Sequence, residues 1–299
     1  MVLSFLGKNS TKGAVLMKTK GLLAVGTALL FAISFLAGCS SFDAKPTGAQ
    51  SEEFKSHIVE GKKDPRYEQV RRELLSPSVF RIVAWSKFRL TVSNGTVTKE
   101  QIVSCDDIGG TGFFVTRDGY AVTAAHVVVF PEEDDLCFAR AKQDLKVKGL
   151  TVTRAEKALV IAVLINEGKP VKAKLIAADT TKDLALLQIN GHFNPLELSN
   201  IANIAEQPAT IIGNPYRVPG IVVFGKVARD LYDRQYLRVL APTYPGDSGG
   251  PVITLNDSKV VGMVLMAPWD DAAKMYIALT APAPEIRQFL TQNALGHKF

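Results

Sequence analysis

The chain has 299 residues, of which 47% are hydrophobic and 21% charged, a composition typical of globular rather than disordered proteins. Its 35 basic and 29 acidic residues give a net charge of +6 at pH 7. Four of the lysines lie in the first 38 residues, which contain no acidic residue, so the rest of the chain has 31 basic residues against 29 acidic ones. The remaining excess of about +2 gives no support for nucleic-acid binding.

The N-terminal segment 1–38 has the features of a secretory signal peptide. Its lysines precede an apolar run over residues 22–37, which is shorter than the roughly 20 residues that a membrane-spanning helix needs. The run ends in LAGC at 36–39, which resembles the lipobox of bacterial lipoproteins. We therefore predict cleavage before Cys39 and lipidation of Cys39, with an ordinary signal peptide as the alternative. Met17 is an alternative start of the chain.

The lipobox resemblance also implies a location. A lipid on Cys39 would anchor the protein in the cell envelope, with the membrane as its partner. Ser40 rather than aspartate follows the cysteine. In a Gram-negative organism this favours the outer membrane, facing the periplasm.

The polar segment 39–75 contains Pro46, Gly48 and several charges but no sustained apolar period. It predicts a flexible tether, with a short helix around residues 67–74. The remaining segment, 76–299, has a suitable size for one all-β unit or two small fused barrels.

Most of the segment 76–299 consists of short apolar or alternating runs separated by turn residues, a pattern typical of β-sandwiches and barrels. An Asp-Gly pair at 118–119 predicts a hairpin. Only residues 284–293 have a clear helical period. The predicted strands cover 79–85, 88–92, 112–116, 120–123, 158–165, 171–176, 184–189, 209–212, 221–227, 236–240, 252–255, 260–266 and 275–279.

Three segments carry candidate catalytic residues. His126 follows the small residues TAA, Asp183 precedes the apolar run LALL, and Ser248 lies in GDSGGP at 246–251. The glycines of the last segment indicate a turn in which the backbone takes positive φ or is closely approached. A surface loop between strands and a packed core histidine are the alternatives for Ser248 and His126. The order His, Asp, Ser is that of chymotrypsin-like enzymes.

Together with GTGFFV at 110–115 and IIGNPY at 211–216, these segments resemble a serine protease of the trypsin/chymotrypsin fold. Within that group the chain is most similar to the protease domain of the bacterial HtrA/DegP family, over about residues 77–290. The resemblance implies an all-β fold of two six-stranded antiparallel β-barrels with a short C-terminal helix. About 50 residues follow Ser248, which is too few for the PDZ domain that this family usually carries.

The resemblance also implies the chemistry of the site. Ser248 would be the nucleophile, His126 the general base and Asp183 the acid that orients the imidazole. The backbone N–H groups of Gly246 and Ser248 would form the oxyanion hole. The expected substrate pocket contains no carboxylate, which favours an apolar or small side chain before the scissile bond. Its predicted lining residues are Pro242, Thr243, Tyr244, Met263 and Met266.

Several assignments stay open at this point. Asp179 is a second candidate for the catalytic acid. Asp247 is a further acid, and in the chymotrypsin branch the matching residue pairs with a new N-terminus after zymogen cleavage. A cut after Arg81 would supply such a terminus, although an ordinary first strand is the preferred interpretation. Cys105 and Cys137 are an even pair in a protein expected to be exported, and they predict a disulfide, with two free thiols as the alternative.

We expect a membrane-anchored serine endopeptidase acting on protein or peptide substrates. The alternatives are a single-substrate or self-processing protease, and a protease-fold lipoprotein that binds partners without cleaving them. The sequence contains no metal-ligand cluster, phosphate loop or cofactor fingerprint, so we predict neither a metal nor a cofactor.

Overall fold

The structure is a computed structural model that describes residues 48–75, 78–166, 168–200, 204–232 and 235–295. The predicted signal peptide 1–38, Cys39 and the first part of the tether lie outside these residues. Across the described ranges, no helix combines the length and the apolar character needed to cross a membrane.

The first barrel is built on one long, alternating strand. On one edge, the first half of this strand pairs with the third strand and its second half with the second strand. Its other edge pairs with the fifth strand, which closes the barrel in the order β1-β3-β4-β7-β6-β5, with β2 added outside. The strands are β1 (Val79–Ser93), β2 (Thr98–Ser104), β3 (Ile108–Phe114), β4 (Tyr120–Ala124), β5 (Thr151–Leu164), β6 (Val171–Asp179) and β7 (Leu184–Ile189).

The second barrel is closed in the order β10-β15-β12-β11-β8-β9, with antiparallel pairing throughout. A separate two-stranded hairpin, β13-β14, leaves the barrel after β12. The strands are β8 (Pro208–Gly213), β9 (Ile221–Tyr232), β10 (Tyr236–Leu240), β11 (Pro251–Thr254), β12 (Val260–Met266), β13 (Trp269–Asp270), β14 (Met275–Tyr276) and β15 (Ala278–Pro282).

Helices lie at both ends of the described chain and within the first barrel. The α-helices are α1 (Gly48–Lys62), α2 (Tyr67–Val70), α3 (Pro131–Val147) and α4 (Ala283–Leu290), with π-helical turns at Arg71–Leu75 and Thr291–Leu295 and 3₁₀ turns at Ala125–Val127 and Pro215–Arg217. The predicted fold class, all-β with two six-stranded antiparallel barrels and a short C-terminal helix, is confirmed.

Helix α1 differs from the flexible tether expected for this part of the chain. Phe54 is buried in the core of the second barrel, and a Cβ added at Gly61 would lie 2.9 Å from the carbonyl oxygen of Val222 in β9. Arg66 lies over the ring of Phe224, 5.5 Å from its centroid. The sequence predicted a tether because α1 is polar over most of its surface and buries few side chains. Residues 48–62 and 67–75 are helical and are joined by a turn, and α1 packs against β9 of the second barrel.

Helix α3 was not predicted either, because most of its residues are polar. It starts at Pro131, which suits the first helical position, and three acidic residues follow in its first turn. Its apolar side is narrow, with Leu145 packed on Phe88 and Leu90 of β1. The disulfide expected between Cys105 and Cys137 is formed and fastens α3 to the first barrel, with the two Cα atoms 5.8 Å apart.

Candidate active site

His126 and Asp183 leave the first barrel at the same edge. Strands β4 and β7 are antiparallel neighbours in which Ala124, the last residue of β4, is opposite Leu184, the first residue of β7. His126 follows two residues after Ala124, in a 3₁₀ turn, and Asp183 comes one residue before Leu184. The pairing of two adjacent strands is therefore sufficient to bring the two side chains together.

Three hydrogen bonds hold the histidine segment on Asp183. The backbone N–H of His126 donates to Oδ1 at 2.9 Å, and the N–H of Ala125 donates to the Asp183 carbonyl at 3.1 Å. Nδ1 of His126 lies 2.7 Å from Oδ2. Because an ionised carboxylate can only accept, Nδ1 carries the proton, and Nε2 is the basic nitrogen of the neutral ring.

The backbone of Asp183 is in the left-handed region, with φ at 56°. This conformation is uncommon for residues with a side chain, although aspartate tolerates it better than most. The hydrogen bonds from the His126 segment compensate for it, since a strained residue persists when its surroundings determine its position. The local geometry thus favours this carboxylate as the partner of the imidazole.

Asp179, the other candidate acid, has a different structural role. Its Oδ1 accepts hydrogen bonds from the N–H groups of Thr181 and Lys182, both at 3.0 Å. Asp179 thus closes the turn between β6 and β7 through its own side chain, as aspartates often do in turns. The structure brings His126 together with Asp183.

The Ser248 segment packs directly on the strands that lead to His126. The N–H of Thr111 donates to the Ser248 carbonyl at 2.8 Å, and the N–H of Gly249 donates to Val264 at 2.7 Å. Gly249 has a φ of +83°, and a Cβ there would lie 2.1 Å from the carbonyl oxygen of Thr111 and 2.3 Å from Oγ1 of Thr123. A residue without a side chain is therefore required where the loop meets the first barrel.

Gly246 is similarly constrained. Its φ is +104°, and a Cβ would lie 2.5 Å from the carbonyl oxygen of Asn214. In the same loop the N–H groups of Asp247, Gly249 and Gly250 have backbone acceptors. Within the described part of the chain, the N–H groups of Gly246 and Ser248 have none. These two donors are therefore available to a group that approaches the serine.

A buried hydroxyl that the sequence analysis did not single out supports Gly246. Oγ1 of Thr111 donates to the Gly246 carbonyl at 2.7 Å. It accepts hydrogen bonds from the backbone N–H and the Nδ2 of Asn214, both at 3.0 Å. Thr111 is fully buried, and its three hydrogen bonds use the full capacity of a hydroxyl. It lies in the GTGFFV segment, but its partners are more than 100 residues away in sequence, so no local pattern indicates the contact.

Asp247 is buried in the second barrel beside the candidate nucleophile. Its Oδ2 accepts a hydrogen bond from the N–H of Tyr244 at 2.9 Å. Burial raises the pKa of Asp247 from 3.8 to about 7, against the opposing effect of this hydrogen bond. No described lysine, arginine or histidine forms an ion pair with it. Asp247 therefore titrates near neutral pH, and its side chain is separate from the His126–Asp183 pair.

The predicted pocket residues differ in their accessibility. Pro242 and Met266 are partly exposed, while Thr243 is buried and its hydroxyl donates to the carbonyl of Ala241 at 2.9 Å. Met263 is fully buried in the core between the strands. This corrects the prediction that it lines a pocket, since its side chain fills core volume.

Tyr244 also needs correction as a pocket residue. Only 6% of it is exposed, and its ring packs against Phe54 and Tyr216. Thr243 is only 1% exposed and is corrected for the same reason, so the partly exposed Pro242 and Met266 are left as candidate pocket residues.

No group of three or more His, Cys, Asp or Glu side chains within the described ranges is placed to hold a metal ion. The chemistry that the described residues offer is a carboxylate-oriented imidazole beside a serine loop with two available N–H donors. This arrangement can activate a hydroxyl and stabilise an oxyanion.

Comparison with known proteins agrees with this geometry. The sequence-family model of the trypsin-like peptidase domain matches residues 110–263 of this chain. This region is more than half of the chain and includes His126, Asp183 and Ser248. The chain belongs to the trypsin-like peptidase family. The region matched runs from the start of the GTGFFV segment in the first barrel to β12 in the second.

Curated relatives carry the name "Probable periplasmic serine endoprotease DegP-like". The protein of Bartonella henselae is 29% identical over 193 residues, which cover 61% of this chain and 33% of the relative. Those of Halomonas elongata and Rhizobium meliloti are 29% identical over 163 and 184 residues, or 52% and 58% of this chain and 28% and 31% of the relatives. The predicted similarity to a bacterial DegP-like protease domain is confirmed, and the matched region spans about a third of these relatives.

Proposed function

We propose that this trypsin-like peptidase is a serine endopeptidase that uses Ser248, His126 and Asp183. The observation that carries the proposal is the 2.7 Å contact between Nδ1 of His126 and Oδ2 of Asp183, on strands against which the Ser248 loop packs. The family match over the same residues supports it. The names of the DegP-like relatives agree with the reaction class.

In this mechanism, Nε2 of His126 takes the proton of the Ser248 hydroxyl as Oγ bonds to the carbonyl carbon of the scissile peptide. The protonated imidazole then gives that proton to the leaving amine as the C–N bond breaks. Water then attacks the acyl carbon while His126 takes a proton from it. His126 returns this proton to Oγ of Ser248 as the bond between Oγ and the acyl carbon breaks. Asp183 keeps the imidazole in the required tautomer and stabilises its positive charge.

The N–H groups of Gly246 and Ser248 would stabilise the negative oxygen of the tetrahedral intermediate. In related chemistry, loss of one such donor costs roughly 3 kcal/mol of transition-state stabilisation. The two remaining pocket candidates, Pro242 and Met266, are uncharged. We therefore expect protein or peptide substrates with an apolar or small side chain before the scissile bond.

A fluorophosphonate probe tests the mechanism directly, because it reacts with an activated serine. We expect covalent labelling of Ser248 in the wild-type protein, located by peptide mapping, and cleavage of unfolded casein. The variant Ser248→Ala should show neither. A folded wild-type protein that takes up no label would overturn the proposal and favour a protease-fold binding module.

A labelled protein that leaves casein intact would instead favour the single-substrate or self-processing alternative. The deciding measurement is then a comparison of newly formed protein N-termini in cells that carry the wild-type protein or Ser248→Ala. Termini that depend on Ser248 would identify the substrate.

We further propose that the protein is anchored in the cell envelope through lipid on Cys39. The LAGC sequence at 36–39 supports this, and the relatives are named as periplasmic. Incorporation of a radiolabelled fatty acid and membrane fractionation test it. Wild-type protein should carry the label and sediment with membranes. A Cys39→Ala protein that still fractionates fully with membranes would contradict lipid anchoring.

A further inference from the structure

Helix α1 reaches the aromatic residues beneath the nucleophile loop. Phe54, which is 6% exposed, packs edge-on against Tyr216 with ring centroids 5.2 Å apart. It makes the same kind of contact with Tyr244 at 5.1 Å. Such aromatic pairs contribute beyond the burial of their surface. One side chain of α1 thus contacts two segments of the second barrel that are separated by almost thirty residues.

His57, one turn further along α1, makes a polar contact with the same tyrosine. Its Nδ1 is within hydrogen-bonding distance of the Tyr244 hydroxyl. Burial is the main cause that raises the pKa of Tyr244, so the hydroxyl is neutral at physiological pH. A neutral phenol can donate to Nδ1, which gives this largely buried hydroxyl a partner. Helix α1 therefore holds Tyr244 by both its ring and its hydroxyl.

Tyr216 connects this contact to the oxyanion hole. Its N–H donates to the carbonyl of Pro245 at 2.8 Å. In a trans peptide the C=O and the N–H of the same unit point in opposite directions. The hydrogen bond to the Pro245 carbonyl therefore turns the N–H of Gly246, which belongs to the same peptide unit, away from Tyr216. The orientation of this candidate oxyanion donor depends on where Tyr216 is held.

The segment that carries Tyr216 has a strained backbone. Tyr216 and Arg217 have φ values of 49° and 64°, both in the left-handed region that non-glycine residues rarely adopt. Such a backbone conformation costs free energy and persists when its surroundings determine it. Arg217 is held by an ion pair with Asp107 and by a hydrogen bond from Arg81 to its carbonyl. For Tyr216, the ring contacts with Phe54 and Tyr244 provide this restraint.

Tyr244 restrains the loop from the other side. Its N–H donates to Oδ2 of Asp247, and its carbonyl accepts from the N–H of Asp247 at 3.0 Å. These two bonds enclose Pro245 and Gly246 in a tight turn. Movement of Tyr244 would therefore displace the same peptide unit that Tyr216 orients.

We propose that Phe54 and His57 are positioning residues for the oxyanion hole, acting through Tyr216 and Tyr244 on the Pro245–Gly246 peptide. The proposal rests on the proposed serine-protease function. It assigns helix α1, outside both barrels, a role in setting the reactivity of Ser248. Neither residue touches the reacting atoms.

The test measures the rate constant and the end point of fluorophosphonate labelling on the full chain. A positioning role affects the rate constant, because every folded molecule still reacts, only more slowly. A purely structural role lowers the end point, because fewer molecules are folded. The variants are Phe54→Ala, His57→Ala and His57→Gln. Val59→Ala is the matched control, since Val59 lies on the same helix and is 56% exposed.

We expect Phe54→Ala to slow labelling by about ten- to a hundredfold with an unchanged end point, since a small displacement at a reacting centre has effects of this size. His57→Ala should slow it by about three- to tenfold. His57→Gln keeps a hydrogen-bonding group and should recover most of the rate. Val59→Ala should react like the wild type.

Three results would overturn the proposal. One is Phe54→Ala and His57→Ala reacting within twofold of the wild-type rate. Another is a loss confined to the end point, which would mean that α1 only stabilises the fold. The third is an equal loss in Val59→Ala. If Phe54→Ala fails to fold, the comparison of labelling rate constants between His57→Ala and His57→Gln decides the question. Substitution of a partly exposed histidine disturbs the fold less than loss of a buried phenylalanine. If the wild-type protein itself takes up no label, the proposed serine-protease function is contradicted, and this inference falls with it.

Discussion

The two halves of the candidate site are built differently. The half in the first barrel, His126 and Asp183, is positioned by two neighbouring strands, and its hydrogen bonds join residues next to the paired strand ends. The half in the second barrel, the loop from Gly246 to Ser248, is held by contacts within that barrel and also by residues from outside it. Thr111 comes from the first barrel and Phe54 from an N-terminal helix.

The geometry of each half therefore depends on different parts of the molecule. The acid–base pair needs only the register of β4 and β7, so it should be robust to changes elsewhere. The nucleophile loop combines glycines at positive φ with a buried carboxylate and contacts from distant segments. Its geometry should respond to changes far from Ser248.

The largest effect is expected within the first half. Asp183→Ala removes the carboxylate that fixes the tautomer of His126, and loss of this function costs about 10⁴-fold in kcat in a related triad. Asp179→Ala should leave most of the activity, because Asp179 only closes a turn. Casein cleavage rates, with circular dichroism to verify folding, measure both.

The opposite result has a clear meaning. If Asp183→Ala stays active while Asp179→Ala is inactive, the acid assignment is wrong despite the 2.7 Å contact to His126. If both variants stay active, the first half of the site does not take part in the reaction.

Much of the first half was predictable from the sequence. The turn residues and alternating runs predicted the strands of both barrels, because period-two burial leaves a local pattern, as in the alternation of buried residues along β1. The resemblance to trypsin-like proteases implied the pairing of Asp183 with His126 while Asp179 stayed an alternative, and in the structure Asp183 is the carboxylate that contacts His126. The Ser248 loop stood out because its glycines are concentrated in one short segment.

The contacts that hold the second half in place could not be predicted from the sequence. Over the residues of its helix with described side chains, 51–62, Phe54 is the only buried one and Ile58 packs partly against the same core, which is too little to produce a helical period. The partners of Thr111 lie more than 100 residues away, and no spacing encodes such a contact. Tyr244 appeared to line a pocket because of its position before the loop, although its ring faces the core.

The buried carboxylate of the second half predicts a pH dependence of stability. Because burial raises the pKa of Asp247 from 3.8 to about 7, the folded state binds a proton between these pH values that the unfolded state does not. The free energy of unfolding should therefore fall as pH rises from about 4 to about 7, by on the order of 4 kcal/mol from this group. Asp247→Asn resembles the protonated acid and should remove that fall.

Thermal unfolding of wild type and Asp247→Asn at pH 5 and pH 8 measures this. The variant should match the wild type at pH 5 and have the higher midpoint at pH 8. A midpoint at pH 8 that is lower in the variant would mean that the ionised carboxylate is stabilised by the fold. Asp270→Asn serves as a control, because the hydrogen bond from the backbone N–H of Ala273 is the main cause that lowers the pKa of Asp270, and the variant should not gain stability at pH 8.

The disulfide of the first barrel should affect stability without affecting either half of the site. Cys105 and Cys137 are 32 residues apart, and closing a loop of this length contributes about 3–4 kcal/mol in the chain-entropy model. A double Cys→Ser variant should lose about this much in urea denaturation while labelling of Ser248 proceeds at the wild-type rate. Intact mass with and without reductant checks the bridge, and two alkylatable thiols in unreduced, unfolded protein would rule it out.

The smallest effect is expected at Thr111, where the two halves meet. Thr111→Val keeps the shape of the side chain but removes the hydroxyl that bonds Gly246 and Asn214. The buried groups left without this partner should lower the free energy of unfolding by about 1–3 kcal/mol. Loss of the hydrogen bond to the Gly246 carbonyl should also slow fluorophosphonate labelling of Ser248.

Thr111→Ser retains the hydroxyl and should preserve the labelling rate, although it loses a buried methyl group. Urea denaturation and labelling of the two variants separate packing from hydrogen bonding: equal labelling rates in Thr111→Val and Thr111→Ser would mean that the nucleophile loop keeps its geometry without support from the first barrel.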